Sequence, residues 1–155
     1  RRAMIRLALA SAFKPTGDDN MAAITGSCRC GKVRFESTAE PIFTGVCHCR
    51  NCQKASGSAF NAVVAVPEAS LVLSGTLKHF DGMGDSGQAT HRGFCPECGT
   101  SITMTADVMP GVVMVPVGTL DDTSWVKPTM QLYCEAAQPW VSLGGDLRSF
   151  QKMPA

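Results

Sequence analysis

Apolar and polar positions follow a short rhythm along this chain. Runs rich in Val, Phe and Thr recur between Gly and Pro: "KVRFEST", "FNAVVAV", "LVLSG", "TLKHF", "SITMT" and "VVMVPVG". Runs of this length and composition predict strands rather than helices, and their regular spacing predicts an all-β domain. Within "LVLSGTLKHF" the Ser74-Gly75 step predicts a tight hairpin turn. The segment "CRNCQKASG" predicts one helical turn that stops at Gly57. Asp121, Asp122 and Pro128 mark a loop before a last extended piece at "TMQLY". On such a scaffold the chemistry belongs on loops and hairpin tips.

The first twenty residues break this rhythm. "RRAMIRLALASAFKPTGDDN" is basic before Pro15, has no acid until Asp18, and carries an apolar run around Ile5 to Phe13 that is too short to cross a bilayer. We read residues 1–20 as an N-terminal extension, either upstream sequence or a targeting segment. Residues 21–155 read as one domain with no linker, repeat or low-complexity tract to divide it. A chain of 155 residues is long enough to bury a core without disulfide staples. Its net charge of +1 and 17% charged residues provide no field for nucleic acid or a membrane surface. Aromatic residues, at 6%, are too few for a base-stacking platform.

The 8 cysteines change the picture. Cys28 and Cys30 stand in "GSCRCGKV"; Cys47, Cys49 and Cys52 in "VCHCRNCQKASG"; Cys95 and Cys98 in "FCPECGTS"; and Cys134 stands apart. Residues i and i+2 of a strand face the same way, so Cys-x-Cys aims two sulfurs at one point, and Cys-x-x-Cys does so across a turn. The glycine after each of Cys30 and Cys98 permits the positive φ that lets backbone N–H groups approach sulfur. Cys28, Cys30, Cys95 and Cys98 together would close a four-thiolate zinc site. Cys47, Cys49 and Cys52 then remain as three ligands, the arrangement that leaves a metal open to water or substrate. Cys134 completing that cluster as a second closed site is the competing partition. Iron in a rubredoxin-like or iron–sulfur site is the competing metal.

In order along the chain, "GSCRCGKVRFE", "CHCRNCQKASGSAF", "GFCPECGTSI" and "KPTMQLYCEAAQPWV" resemble the glutathione-dependent formaldehyde-activating enzyme family, which also contains centromere protein V. The resemblance implies a β-tent (Mss4-like) fold of zinc-stapled β-sheets. It also implies structural Zn2+ at Cys28, Cys30, Cys95 and Cys98, and a catalytic Zn2+ at Cys47, Cys49 and Cys52. The activity it implies is that of a carbon–sulfur lyase, in which a glutathione thiol adds to formaldehyde or a related small carbonyl. Arg50 and Lys54 are the nearby cations for a glutathione carboxylate. A cytoplasmic setting is expected, with no nucleic-acid or membrane partner. The alternative is a non-enzymatic, zinc-stabilised binding module with two structural metal sites.

One position departs from the family pattern. Gln131 stands in "QLY" where the resemblance leads us to expect a histidine that could line the site. His48, between two same-facing cysteines, should turn away from their metal, and His79 and His91 read as strand residues. Cys134 reads as a lone thiol in the last strand. Met104, Met109, Met114 and Met130, with Trp125 and Trp140, read as core. Ser56 and Ser58 have no nearby base and are not nucleophile candidates.

Overall fold

The computed structural model describes residues 23–154, so the expected extension at 1–20 lies outside the described residues. Among the described residues, eleven strands form two sheets. The smaller joins β1 (Ile24–Ser27), β2 (Arg34–Ser37) and β5 (Leu71–Ser74) as antiparallel neighbours. The larger has eight strands: β3 (Phe43–Cys47), β4 (Asn61–Pro67), β6 (Lys78–Met83), β7 (Ala89–Phe94), β8 (Ser101–Ala106), β9 (Val112–Pro116), β10 (Met130–Leu132) and β11 (Arg148–Ser149). Their spatial order is β11-β10-β3-β4-β9-β8-β7-β6. Among the described residues one α-helix, α1 (Arg50–Ser56), follows β3 and ends at Gly57 in the left-handed conformation (φ 62). The all-β reading therefore stands, with the helix stop where Gly57 predicts it.

The central strands explain why "NAVVAVP" is apolar throughout instead of alternating. Val64 and Val66 point into one core, with Ile24, Phe35, Ile102, Val113, Val115 and Leu120. Val63 and Ala65 point into a second core on the other face, with Phe43, Met114, Met130 and Leu132. A strand covered on both faces loses the polar half of its period. The first core is roofed by the small sheet, and the isolated bridge between Gly26 and Leu120 ties the two together.

Several expectations are corrected. Ser74-Gly75 makes no hairpin, because β5 pairs with β2 while β6 pairs with β7. Gly75 (φ +93) is instead the point where the chain leaves the small sheet for the large one, pressed against the Lys32 carbonyl where no Cβ would fit. Cys134 lies past the last extended piece, in a 3-10 turn (Cys134–Ala136) entered through Tyr133 at φ 56 and ψ 44. Trp125 packs against the first core, but Trp140, expected in the core, is 74% exposed. The methionines fill the second core or its margin as expected.

Candidate functional site

Two groups of thiols converge, one at the margin of each core. Cys28, Cys30, Cys95 and Cys98 have sulfurs all within 4.8 Å of one another. Cys28 and Cys95 are buried in the first core, with Cys98 packed against it. The two halves are built alike. The N–H of Cys28 donates to the Val33 carbonyl and that of Cys95 to the Thr100 carbonyl, both at 2.9 Å. The N–H groups of Gly31 (φ 74) and Gly99 (φ 71) donate back to the Cys28 and Cys95 carbonyls. The turns thereby aim N–H groups at sulfur, as Val33 N–H does at Cys28 Sγ, 3.2 Å away.

Two contacts tie the halves together across the chain: Arg29 N–H donates to Thr100 Oγ1 at 3.2 Å, and Lys32 pairs with Glu97 at 2.8 Å. Sulfur separations of 3.4 Å (Cys28–Cys30) and 3.7 Å (Cys30–Cys95) lie close to the edge of about 3.8 Å of a tetrahedron with 2.3 Å zinc–sulfur bonds. The Thr100 hydroxyl and N–H lower the Cys98 pKa to about 5, toward the thiolate a metal takes. The donor set suits zinc.

Cys47, Cys49 and Cys52 form the other group, again with all three sulfurs within 4.8 Å. Cys47 ends β3, Cys49 caps α1 by accepting the Cys52 N–H at 3.3 Å, and Cys52 is the third residue of the helix. A strand-to-helix bend thus assembles this set, while Cys28 and Cys30 meet in a turn after β1, so simple strand alternation is not what gathers either pair. Hydrogen bonds from Cys47, then Cys52, lower the Cys49 pKa to about 2, and the same bond to Cys49 drives the Cys47 thiol upward. Cys134 belongs to neither group; its sulfhydryl points to the Gln131 carbonyl at 3.7 Å. No disulfide joins any of the cysteines.

These three sulfurs open on a cavity of about 100 Å³ within the margin of the second core. Beside them lie Arg92 and Tyr133, neither of which the sequence reading singled out. Arg92, on β7, places Nη2 3.7 Å from Cys52 Sγ. Burial, then the charges of Asp85 and the cysteines, pushes the Tyr133 pKa up to about 12 and keeps the phenol protonated. A broader groove of about 540 Å³ runs over β6, β7 and α1, and Asn51, Thr90 and Arg92 line both spaces. Lys54 lines that groove, whereas the guanidinium of Arg50 is turned onto Gln53 Oε1.

Gln53, also unremarked in the sequence, is 4% exposed and holds the cysteine bend in place. Its amide donates to the carbonyls of His48 (2.5 Å) and Ala136 (2.9 Å) and accepts from Gln138 (2.9 Å). A glutamine amid charged and polar helix residues carries no periodic signal, so only the fold exposes this role. His48 turns away from the cysteines as expected. It is 1% exposed, edge-on to Phe60, with Nε2 donating to Gln131 Oε1 at 3.1 Å, while Nδ1 has no partner among the described residues. Gln131 also donates to Ser149 Oγ at 2.8 Å. Residue 131 therefore faces away from the cavity, while its neighbours Leu132 and Tyr133 line it, so the departure from the family pattern lies behind the site rather than within it.

Residues 23–136 match the family described as glutathione-dependent formaldehyde-activating enzyme. No curated protein matches the chain. Among solved structures, a crystal structure of a Rhodobacter sphaeroides protein aligns at 21% identity over 67% of this chain and 91% of that one, with a TM-score of 0.51. That likeness is one of fold.

Proposed function

From the premise that this chain belongs to the glutathione-dependent formaldehyde-activating enzyme family, we propose that it acts as a carbon–sulfur lyase-type enzyme, joining a glutathione thiol to formaldehyde or a related small carbonyl. The observation that carries this reading is the contrast between the two thiol groups. One has four sulfurs, enough to close a tetrahedron, with Cys28 and Cys95 buried in the first core, whereas the other has three sulfurs facing a cavity that adjoins a groove. Cys28, Cys30, Cys95 and Cys98 would hold a structural zinc, and Cys47, Cys49 and Cys52 a second zinc with room for an outside ligand. Held by Cys47, Cys49 and Cys52, a zinc ion would supply thiol activation, favouring the nucleophilic thiolate near neutral pH.

The chain's own residues do the remaining work. Three cysteinates carry more negative charge than one divalent ion neutralises, and Arg92 beside Cys52 offsets the surplus. Lys54 and Arg92 present cations along the groove to the carboxylates of a peptide thiol, whereas Arg50, a cation the sequence also offered for this task, turns its guanidinium onto Gln53. Tyr133 holds its proton and offers a hydrogen bond to the carbonyl oxygen as charge develops there. Its left-handed backbone, unusual for a non-glycine residue, sets the ring against the cavity. Free thiols throughout agree with a reducing, cytoplasmic setting; among the described residues no helix is long and apolar enough to cross a membrane.

The test is adduct formation from glutathione and formaldehyde at matched pH, measured above the uncatalysed reaction. The wild type should exceed the background, Cys49→Ser should fall to it while remaining folded, and Arg92→Ala should raise the KM for glutathione. A wild type no faster than buffer overturns the enzymatic reading in favour of a zinc-stabilised binding module.

A further inference from the structure

The cavity beside the three cysteines is larger and more apolar than formaldehyde requires. Beside the thiols and six polar side chains, Asp85 and Arg92 among them, its wall is hydrocarbon and thioether, with Met104, Ala106, Met109, Met114, Leu132 and Met153. Met114, Ala106 and Leu132 are buried, and Met114 and Leu132 belong to the second core. Its volume of about 100 Å³ is roughly two-thirds of a dry, apolar cavity of about 150 Å³ that accepts the six carbons of benzene. By that proportion it has room for roughly four carbon atoms. The adjoining groove contrasts with it, presenting Lys54, Asn51 and Arg92. Asn51, Thr90 and Arg92 form the shared boundary between polar groove and apolar cavity.

We infer that the site divides its two reactants by polarity, the groove taking the charged thiol compound and the methionine-walled cavity taking the short aliphatic substituent of an aldehyde of about four carbons. The inference rests on the thiol-addition reading above and gives that site its carbonyl class. In the step, the thiol sulfur bonds to the carbonyl carbon, the C=O π bond opens, and the thiol proton ends on the new hydroxyl, giving a hemithioacetal without any oxidant or reductant. Methionine suits such a wall because its unbranched, polarisable side chain repacks around differing chains.

Two measurements test this. First, catalysed rates with acetaldehyde, propanal and butanal, each divided by its own uncatalysed rate, should give kcat/KM rising roughly fourfold per methylene, or about fifteenfold from acetaldehyde to butanal. Ala106→Leu, which fills the cavity, should flatten the series, and Met104→Ala, which enlarges it, should move the optimum to a longer chain. Second, in metal-loaded protein carrying [methyl-13C]methionine, unreactive butan-1-ol should shift the methyls of Met104, Met109, Met114 and Met153 saturably, and methanol should not. Graded methyl shifts without turnover of any aldehyde uphold the apolar cavity as a ligand site and sink the addition reading alone. Turnover that is flat across the series, or methyls that ignore butan-1-ol, overturns the inference.

Discussion

Replacing Gln53 tests how the three-cysteine bend is held. The side chain is almost fully buried, and its amide joins the carbonyls of His48 and Ala136 to the Gln138 amide and the Arg50 guanidinium. Gln53→Leu keeps the approximate volume while removing every one of these bonds. Two carbonyls then lose a donor, at about 1–3 kcal/mol each when buried. The Ala136 contact is only partly buried, and the leucine recovers some apolar contact, so the net loss is about 3 kcal/mol. For a domain of this size that corresponds to a fall in Tm of about 10 °C. Gln53→Glu should cost more, because a carboxylate would face two carbonyl oxygens in place of the N–H donors. Urea unfolding of the metal-loaded protein, followed by circular dichroism, gives the stability. Metal release to a chelator shows whether loss is faster from the Cys47, Cys49 and Cys52 site while the four-cysteine site holds. A Gln53→Leu variant within about 1 kcal/mol of wild type, with unchanged metal release, would refute the claim that this amide organises the bend.

Further outcomes follow from the same structure. Cys98→Ser should unfold or strongly destabilise the domain, since it opens the site that joins turns 65 residues apart, whereas Cys49→Ser and Cys134→Ser should leave circular dichroism near wild type. Gly26→Ala should cost roughly 1–3 kcal/mol in urea unfolding, because a Cβ there meets the Phe35 ring and the Thr119 carbonyl where β1 bridges to Leu120. Protonated His91 donates one ring N–H to the Asp81 carboxylate (2.7 Å) and the other to that of Asp107 (3.3 Å), and these hydrogen bonds raise its folded pKa. A raised folded value means its contribution is complete below the ordinary histidine pKa and disappears as pH climbs through the folded one. The stability difference between wild type and His91→Gln should therefore shrink from mildly acidic to alkaline pH; a difference that grows would contradict the assignment.

How far these features were legible in the sequence depends on their physical range. The cysteine sets were legible because chelate spacing is local: Cys95-Pro-Glu-Cys98-Gly99 is a complete half-site before any tertiary contact forms. The central strands β4 and β9 were legible as strands, and their lack of alternation reflects burial on both faces. The switch at Gly75 was not, since a Ser-Gly step reads the same whether the next strand returns to its neighbour or leaves for another sheet. Tyr133 takes its left-handed backbone, and Arg92 its place by Cys52, from pairings across distant segments that no local pattern encodes. Gln131 looked like a change within the site. The side-chain alternation of β10 places Met130 and Leu132 on the core face and the amide on the other.

The central claim, that the three-cysteine site accepts a thiol through its sulfur, is tested most directly by titrating glutathione into the cobalt-substituted protein and following the sulfur-to-cobalt charge-transfer and ligand-field bands. The account predicts a saturable spectral change with glutathione, a much weaker one with S-methylglutathione, and none in Cys49→Ser. Bands that stay unchanged with glutathione while cobalt occupies Cys47, Cys49 and Cys52 would contradict it.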